Sequence, residues 1–267
     1  MLHTGEDRPA EVEVAVLGPV DIRGAAEPFA RAAARELVVY LAFHRSGVRS
    51  DVWGGALWPD RAVASSTLHS TASVARRALG RSADGVEHLP RGGRSLRLST
   101  SVGTDVDRFS SLVASSEPDR WHRAFDLVRG RPFEGLLLSD WAVLDGTQAE
   151  VEALVADTAL RAASHYLRRG CGREAERIVR RALRASPYDE RLYRALLRAT
   201  DAKGDRVGLR STMAELLSVA NEGEWSVRRV GLADTVTCSS LHPRTVALFR
   251  ELSLGEVPAS GGDPARL

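Results

Sequence analysis

Residues Ser66 to Gly80, STLHSTASVARRALG, divide into two faces when set at about 100° per residue. Leu68, Ala72, Ala75 and Leu79 fall together on one side. Ser66, Ser70, Ser73 and Arg77 stack on the opposite side, with His69 and Arg76 beside them. The apolar side is a core stripe. The other side is small, hydrogen-bonding and cationic. Two readings of it are open: an ordinary solvated surface, or a surface that lies close against a dense polyanion.

The flanking pattern narrows what can surround this helix. VEVAVLGPVDIRG alternates apolar and polar residues and breaks at Gly18-Pro19, which predicts two short strands and a turn. Arg31 to His44 is apolar at helical spacing through Ala34, Leu37, Val38 and Leu41. RSGVRS interrupts that pattern, with Ser50 placed to cap the next helix, DVWGGALW. Trp53 and Trp58 on that short helix read as core anchors, and Pro59-Asp60 halts it. The two-faced helix follows from about Val63 to Leu79, and Gly80 stands where a helix stop is expected. VEHLPRGGRSLRLST then predicts a hairpin around Gly92-Gly93 with an arginine-studded tip.

Strands, three helices with a short turn between the last two, then a hairpin: this is the plan of a winged helix-turn-helix. Such a domain lays its third helix in the major groove and rests its wing on the flanking backbone. Charge follows the same division. The chain carries 37 basic and 35 acidic residues, a formal charge of only +2. From Arg61 to Arg97, however, seven arginines face only Asp84 and Glu87, a local balance of +5. Lys203 is the sole lysine, so the cations are forked guanidiniums suited to phosphates and base edges. On this reading Ser66, Ser70, Ser73 and His69 face DNA, and Arg76 or Arg77 reads bases. Val74 is an edge contact. Arg91, Arg94 and Arg97 on the wing hold phosphates, which position a protein without carrying sequence information.

Past Thr104 the pattern becomes continuously helical. DVDRFSSLVAS and PDRWHRAFDLVRG are two amphipathic segments, and a long helix is expected from Trp141 to Arg169. Gly170 and Gly204, 34 residues apart, each end one helix just before another begins. At that offset Ala163 falls over Leu197, Ala175 over Leu209, Ala182 over Leu216 and Leu183 over Leu217. The period is that of tetratricopeptide hairpins, which bury their faces only by stacking on neighbours. Residues 223–240 form an aperiodic loop, in which Trp225 is a candidate partner or ligand contact, and LHPRTVALFREL makes a last helix with Leu248 and Leu252 available to cap the repeats. Trp141, Tyr188 and Tyr193 read as packing residues.

The fold class expected is mainly α, with an N-terminal winged helix-turn-helix carrying short β-hairpins followed by an all-α, tetratricopeptide-like domain. The expected boundaries are a flexible N-terminus over 1–11, the winged helix over 12–103, the helical domain over 104–253 and a disordered tail over 254–267. Several classes drop out. Seven histidines and two cysteines, Cys171 and Cys238, show no metal-ligand spacing, and neither a nucleophile elbow nor a dinucleotide fingerprint occurs. Asp105 and Asp107 resemble a carboxylate pair but stand at a predicted helix start, where capping accounts for them. No apolar run approaches the ~18 residues of a membrane span. The expectation is a cytoplasmic protein that is not an enzyme, with no cofactor, no metal and no membrane partner.

These segments, in this order, resemble the Streptomyces antibiotic regulatory proteins and related regulators with a bacterial transcriptional activation domain. The resemblance covers about residues 12–253. It rests on VLGPVDIRG, VWGGALWPD, VARRALG, DVDRF, GRPFEGL with DWA, SPYDERLYRALLRA and HPRTVALFREL. It implies an OmpR-like winged helix that binds direct repeats in promoters, followed by a tetratricopeptide-like domain. It also implies a transcription activator that contacts RNA polymerase and its sigma factor, as a homodimer on DNA. Larger relatives add a nucleotide-hydrolysing module; no glycine-rich loop ending in lysine occurs here. Relatives also carry more arginine, asparagine and glutamine along the reading helix, where this chain has Ser65, Ser66, Ser73 and Val74. The alternative is therefore a protein-interaction or ligand-sensing module whose winged helix no longer reads sequence.

Overall fold

Four consecutive buried residues, Val12–Ala15, form strand β1 at the centre of a three-stranded sheet. The computed structural model describes residues 10–91, 93, 95–115, 117–137, 139–221 and 241–254. Strand β2 (Asp21–Arg23) pairs antiparallel with β1, Val14 opposite Ile22, and β5 (Val102–Thr104) pairs with it in parallel, Val12 opposite Val102. Helices α1 (Ala32–Phe43) and α4 (Asp105–Val113) also contact β1, and its alternation does not expose a polar face. Glu13 is buried and held by Arg23 and Arg108, as a charge removed from water must be.

Helix α1 (Ala32–Phe43) packs against this sheet and against α3 (Ser65–Leu79). Between them lie β3 (Val48–Arg49) and α2 (Ser50–Leu57). Ser50 is the first helical residue of α2 rather than its cap: Arg49 occupies the cap position without a side-chain bond and pairs instead with Asp51. Trp53 is buried and Trp58 half-buried, with their rings 6.3 Å apart. The wing also departs from the expected hairpin. Among the described residues, strand β4 (Ser95–Leu96) pairs antiparallel with β3, Val48 opposite Leu96, and no ladder joins it to the leg that precedes it. That leg is tied in by the Ser99 amide donating to the His88 carbonyl at 2.9 Å and by an isolated bridge between Arg81 and Glu87. Together α1, α2, α3 and this wing make a winged helix-turn-helix.

The chain continues in helices. Thr104 and Asp107 form a capping box at the start of α4 (Asp105–Val113). Asp105 does something else. It is buried, and its two carboxylate oxygens accept from the Val16 and Leu17 amides at 2.8 and 3.0 Å. Helix α5 (Pro118–Asp126) packs on α4 through Phe125 against Phe109, ring centroids 5.4 Å apart. The single long helix expected over 141–169 is two: α6 (Trp141–Leu144) and α7 (Thr147–Leu167). Gly146 sits at φ +84° between them and Asp145 Oδ1 accepts from the Thr147 amide. An Asp-Gly turn thus interrupts the periodicity.

Two compact units result, divided between Thr158 and Ala159, with Arg184–Ser186 belonging to the first. The second unit contains α8 (Gly172–Ala185) up to Leu183, α9 (Glu190–Ala202), α10 (Arg206–Asn221) and α11 (Pro243–Leu254). Here the 34-residue offset is written into the backbone. The Cys171 amide bonds the Tyr166 carbonyl and the Asp205 amide bonds the Thr200 carbonyl. The pairs Gly170–Leu167 and Gly204–Asp201 repeat in the same way, with the two glycines at φ +71° and +69°. Ala163, Ala175, Ala182 and Leu183 and their counterparts Leu197, Leu209 and Leu216 are all buried, and Leu217 is half-buried. Helix α9 packs against both α10 and α11, burying Leu248. Tyr193 is buried, but Tyr188 is 61% exposed and is not a packing residue. The 1–9 N-terminus, the 223–240 loop with Trp225 and Cys238, and the tail from 255 lie outside the described residues.

Candidate nucleic-acid interface

Helix α3 buries Leu68, Thr71, Ala72, Ala75, Ala78 and Leu79. The small residues on this face let neighbouring elements come close. At Gly54 of α2 an added Cβ would lie 3.0 Å from Leu68 Cδ2, and at Gly80 it would lie 2.6 Å from Ala26 Cβ. Gly80 ends the helix at φ +75°, and the Glu27 amide donates to the Ala78 carbonyl at 3.1 Å. The helix is therefore seated firmly on its apolar side.

Ser66, His69, Ser73 and Arg77 are exposed on its opposite side, and Val74 is half-buried at the edge. Ser70 is half-buried because another side chain covers it: Arg31, at the entry to α1, donates from Nη1 to Ser70 Oγ at 2.8 Å. Arg76 takes a different course from Arg77. Its Nε donates to the Leu89 carbonyl at 2.9 Å, Glu87 lies 3.9 Å away, and the side chain is 16% exposed. Burial, with the nearby Arg91 charge adding to it, lowers the Arg76 pKa against the opposing pull of Glu87. Arginine stays protonated regardless, so what matters is placement. Arg76 ties the helix to the first leg of the wing, and Arg77 points out. Arg91 and Arg97 on the wing are exposed, and Arg94 lies outside the described residues.

How arginines are paired separates this face from the rest of the first unit. Arg23, Arg45, Arg49, Arg81, Arg108, Arg129 and Arg131 each have a carboxylate within ion-pair distance. Exposed arginines without one, among the described residues 10–104, are Arg31, Arg61, Arg77, Arg91 and Arg97. Arg61 stands in the turn between α2 and α3, Arg77 on α3, Arg91 and Arg97 on the wing, and Arg31 against Ser70. Among residues 10–104, exposed guanidiniums without a carboxylate thus fall on α3, the turn before it and the wing, with Arg31 against Ser70. Arg31 is the member that sequence inspection missed, because no spacing links it to a serine 39 positions away. No group of three or more His, Cys, Asp or Glu among the described residues could hold a metal ion. No described helix is long and apolar enough to cross a membrane.

Residues 104–208 match the family model of the bacterial transcriptional activator domain. No curated protein matches the chain. Among solved structures the chain is similar to Mycobacterium tuberculosis EmbR in complex with a low-affinity phosphopeptide, at 18% identity and a TM-score of 0.57. That likeness covers 92% of this chain and 66% of the EmbR chain, and at such identity it is a likeness of fold. The chain thus spans 66% of the length of the structure it resembles. The chain thus combines a winged helix-turn-helix with a segment that matches the bacterial transcriptional activator domain, in a fold similar to that of EmbR.

Proposed function

We propose that the chain binds double-stranded DNA through α3 and the wing, and activates transcription from the promoters it occupies. The observation that carries this reading is the set of exposed guanidiniums without a carboxylate partner among the described residues: Arg77 on α3, Arg61 in the turn before it, Arg91 and Arg97 on the wing and Arg31 against Ser70, together with the exposed Ser66 and Ser73. Serine hydroxyls at Ser66 and Ser73 allow close approach and bond phosphate or base without strong base preference. Arg77 supplies the forked donor for a guanine edge, a pairing worth about 1–3 kcal/mol of discrimination. Arg76 acts through the wing, which it holds against the helix. The functional boundary lies at 103/104, and the helices beyond it serve homodimerisation on DNA or contact with RNA polymerase or its sigma factor. The 34-residue turns of the second unit support reading it as tetratricopeptide-like. This work belongs in the cytoplasm and needs no cofactor.

The test is fluorescence anisotropy with a duplex from upstream of the chain's own gene. Binding that falls steeply with salt is expected, because each phosphate neutralised releases counterion. Absence of binding at about 50 mM salt, where that release favours the complex most, refutes the proposal.

A second reading is favoured by one observation: Arg76 is turned into the wing, so Arg77 is left as the exposed cation of α3. A helix so equipped suits a protein-interaction or ligand-sensing module with no sequence reading. Double substitution Arg76→Ala and Arg77→Ala separates the two. Loss of regulation in cells together with loss of DNA binding supports the DNA reading; unaffected regulation supports the interaction module.

A further inference from the structure

The reading helix has its exposed cation near its C-terminal end, at Arg77, and no arginine, lysine or carboxylate in its first two turns. Yet a guanidinium stands over that half of the helix. It comes from the residue before α1, Arg31, whose Nη1 donates to Ser70 Oγ at 2.8 Å. Both groups lie at the surface, and among the described residues no carboxylate comes within ion-pair distance of Arg31. The contact makes specific use of hydroxyl chemistry. A serine oxygen that accepts from a guanidinium keeps its own proton to donate, and the guanidinium retains four further N–H donors. Two side chains 39 residues apart thus present donors of one kind on a single spot, with one net positive charge. A phosphodiester oxygen is the acceptor this arrangement fits, since charge-assisted N–H and O–H bonds to phosphate are the strong ones. A base edge fits less well, because it requires a bidentate fork that the Ser70 bond has already partly used.

We infer that Arg31 and Ser70 form a clasp for one backbone phosphate of the DNA, supplying from the entry to α1 the cation that the N-terminal half of the reading helix lacks. The inference rests on the DNA-binding reading above and adds to α3 a cation from outside α2, α3 and the wing. The clasp positions the helix and does not choose the sequence. It therefore makes a distinct signature in salt dependence.

Titrating the full chain and its variants onto the same upstream duplex, and onto a scrambled duplex, across a salt series tests it. Arg31→Ala is expected to weaken both complexes by similar factors and to reduce the slope of log K against log salt by about 0.9, one phosphate's share. Arg31→Lys keeps the charge and is expected to retain the slope while losing part of the affinity. Ser70→Ala is expected to weaken binding, and the double variant to bind about as Arg31→Ala does, because groups that act on one phosphate couple. Arg131→Ala, which removes the same formal charge from an arginine paired with Glu152, is the control and is expected to leave the slope unchanged. The melting temperature reports folding: Arg31 makes no side-chain cap bond on α1, so the variant is expected to melt with the wild type. An unchanged slope in Arg31→Ala overturns the clasp, as does a slope lost equally in Arg131→Ala or a strictly additive Arg31/Ser70 pair. Failure of the wild type to bind either duplex is a separate result, and it strikes the DNA-binding reading itself.

Discussion

Adjacent arginines on α3 have different work, and substitution should separate them. Arg77 is exposed and carries no ion pair among the described residues. Arg77→Ala should leave the melting temperature alone and cost about 1–3 kcal/mol of discrimination between the cognate duplex and one with the contacted guanine replaced. Arg76→Ala should do the reverse at first. It removes a charged donor from the Leu89 carbonyl, a loss of about 1–3 kcal/mol, and should lower the urea midpoint while weakening binding only through a loosened wing. Equal effects of the two substitutions on stability would contradict this division. Asp105 offers a pH signature. Burial raises its pKa, against the pull of the Val16 and Leu17 amides and Arg129. A carboxyl with a folded pKa above its unfolded one contributes most below the unfolded value and loses that contribution as pH rises through the folded value. The stability advantage of the wild type over Asp105→Asn, from urea unfolding, should therefore be larger near pH 4, about the unfolded carboxyl value, than at neutral pH. Neither role was legible beforehand. Adjacent arginines look alike in a sequence, and Asp105 beside Asp107 resembles a helix-start pair until the chain folds 88 residues back onto Leu17.

At the scale of elements, what depends on local spacing was legible and what depends on distant partners was not. The two faces of α3 follow from its own residues, and the Gly170 and Gly204 turns follow from a period visible in the chain. The wing does not. Val48 and Leu96 pair across the whole of α2 and α3, and two-residue strands carry too little alternation to announce a partner. The break between α6 and α7 had a local signal in Asp145-Gly146, overridden in sequence reading by apolar periodicity on both sides. Glycines at the two ends of the helix-turn-helix make a further prediction. At Gly80 an alanine meets both a positive φ of +75° and the Ala26 Cβ at 2.6 Å. Gly80→Ala should cost more than about 1 kcal/mol, the scale of such backbone incompatibilities, and displace the end of the reading helix. At Gly54 the approaching atom is the end of a flexible leucine, at 3.0 Å. The better helix propensity of alanine, worth up to about 1 kcal/mol, offsets that crowding, so Gly54→Ala should shift the urea midpoint little. Similar midpoints for the two variants would show that the close approach at Gly80 relaxes easily.

For the molecule as a whole, the winged helix and the segments that follow it share one compact unit, and the bonds that join them are buried backbone groups. Asp105 serves the Val16 and Leu17 amides. The Phe133 amide donates to the Val16 carbonyl and the Arg129 amide to the Leu17 carbonyl, while the Val20 amide donates to the Glu134 carbonyl. Glu36, fully buried in α1, accepts from the Leu137 amide at 2.6 Å, and Ser139 Oγ donates to the Ala56 carbonyl near the end of α2 at 2.6 Å. Residues 129–139 therefore touch the β1–β2 turn, α1 and α2, the elements that orient α3. A fragment of residues 12–103 removes every one of these partners and uncovers the faces of β1 and β5 on which α4 packs. Each buried group left without a partner costs about 1–3 kcal/mol, and several together reach the ~5–15 kcal/mol that holds an ordinary domain folded. Such a fragment should lack a cooperative thermal transition by circular dichroism and show collapsed amide dispersion by NMR, while the full chain melts cooperatively. If the fragment melts sharply near the full chain's temperature, the buried bonds are dispensable and α3 is oriented by the helix-turn-helix alone. If it does not, anything that shifts residues 129–139 also shifts α3, which gives the helical segments after Thr104 a direct mechanical hold on that helix.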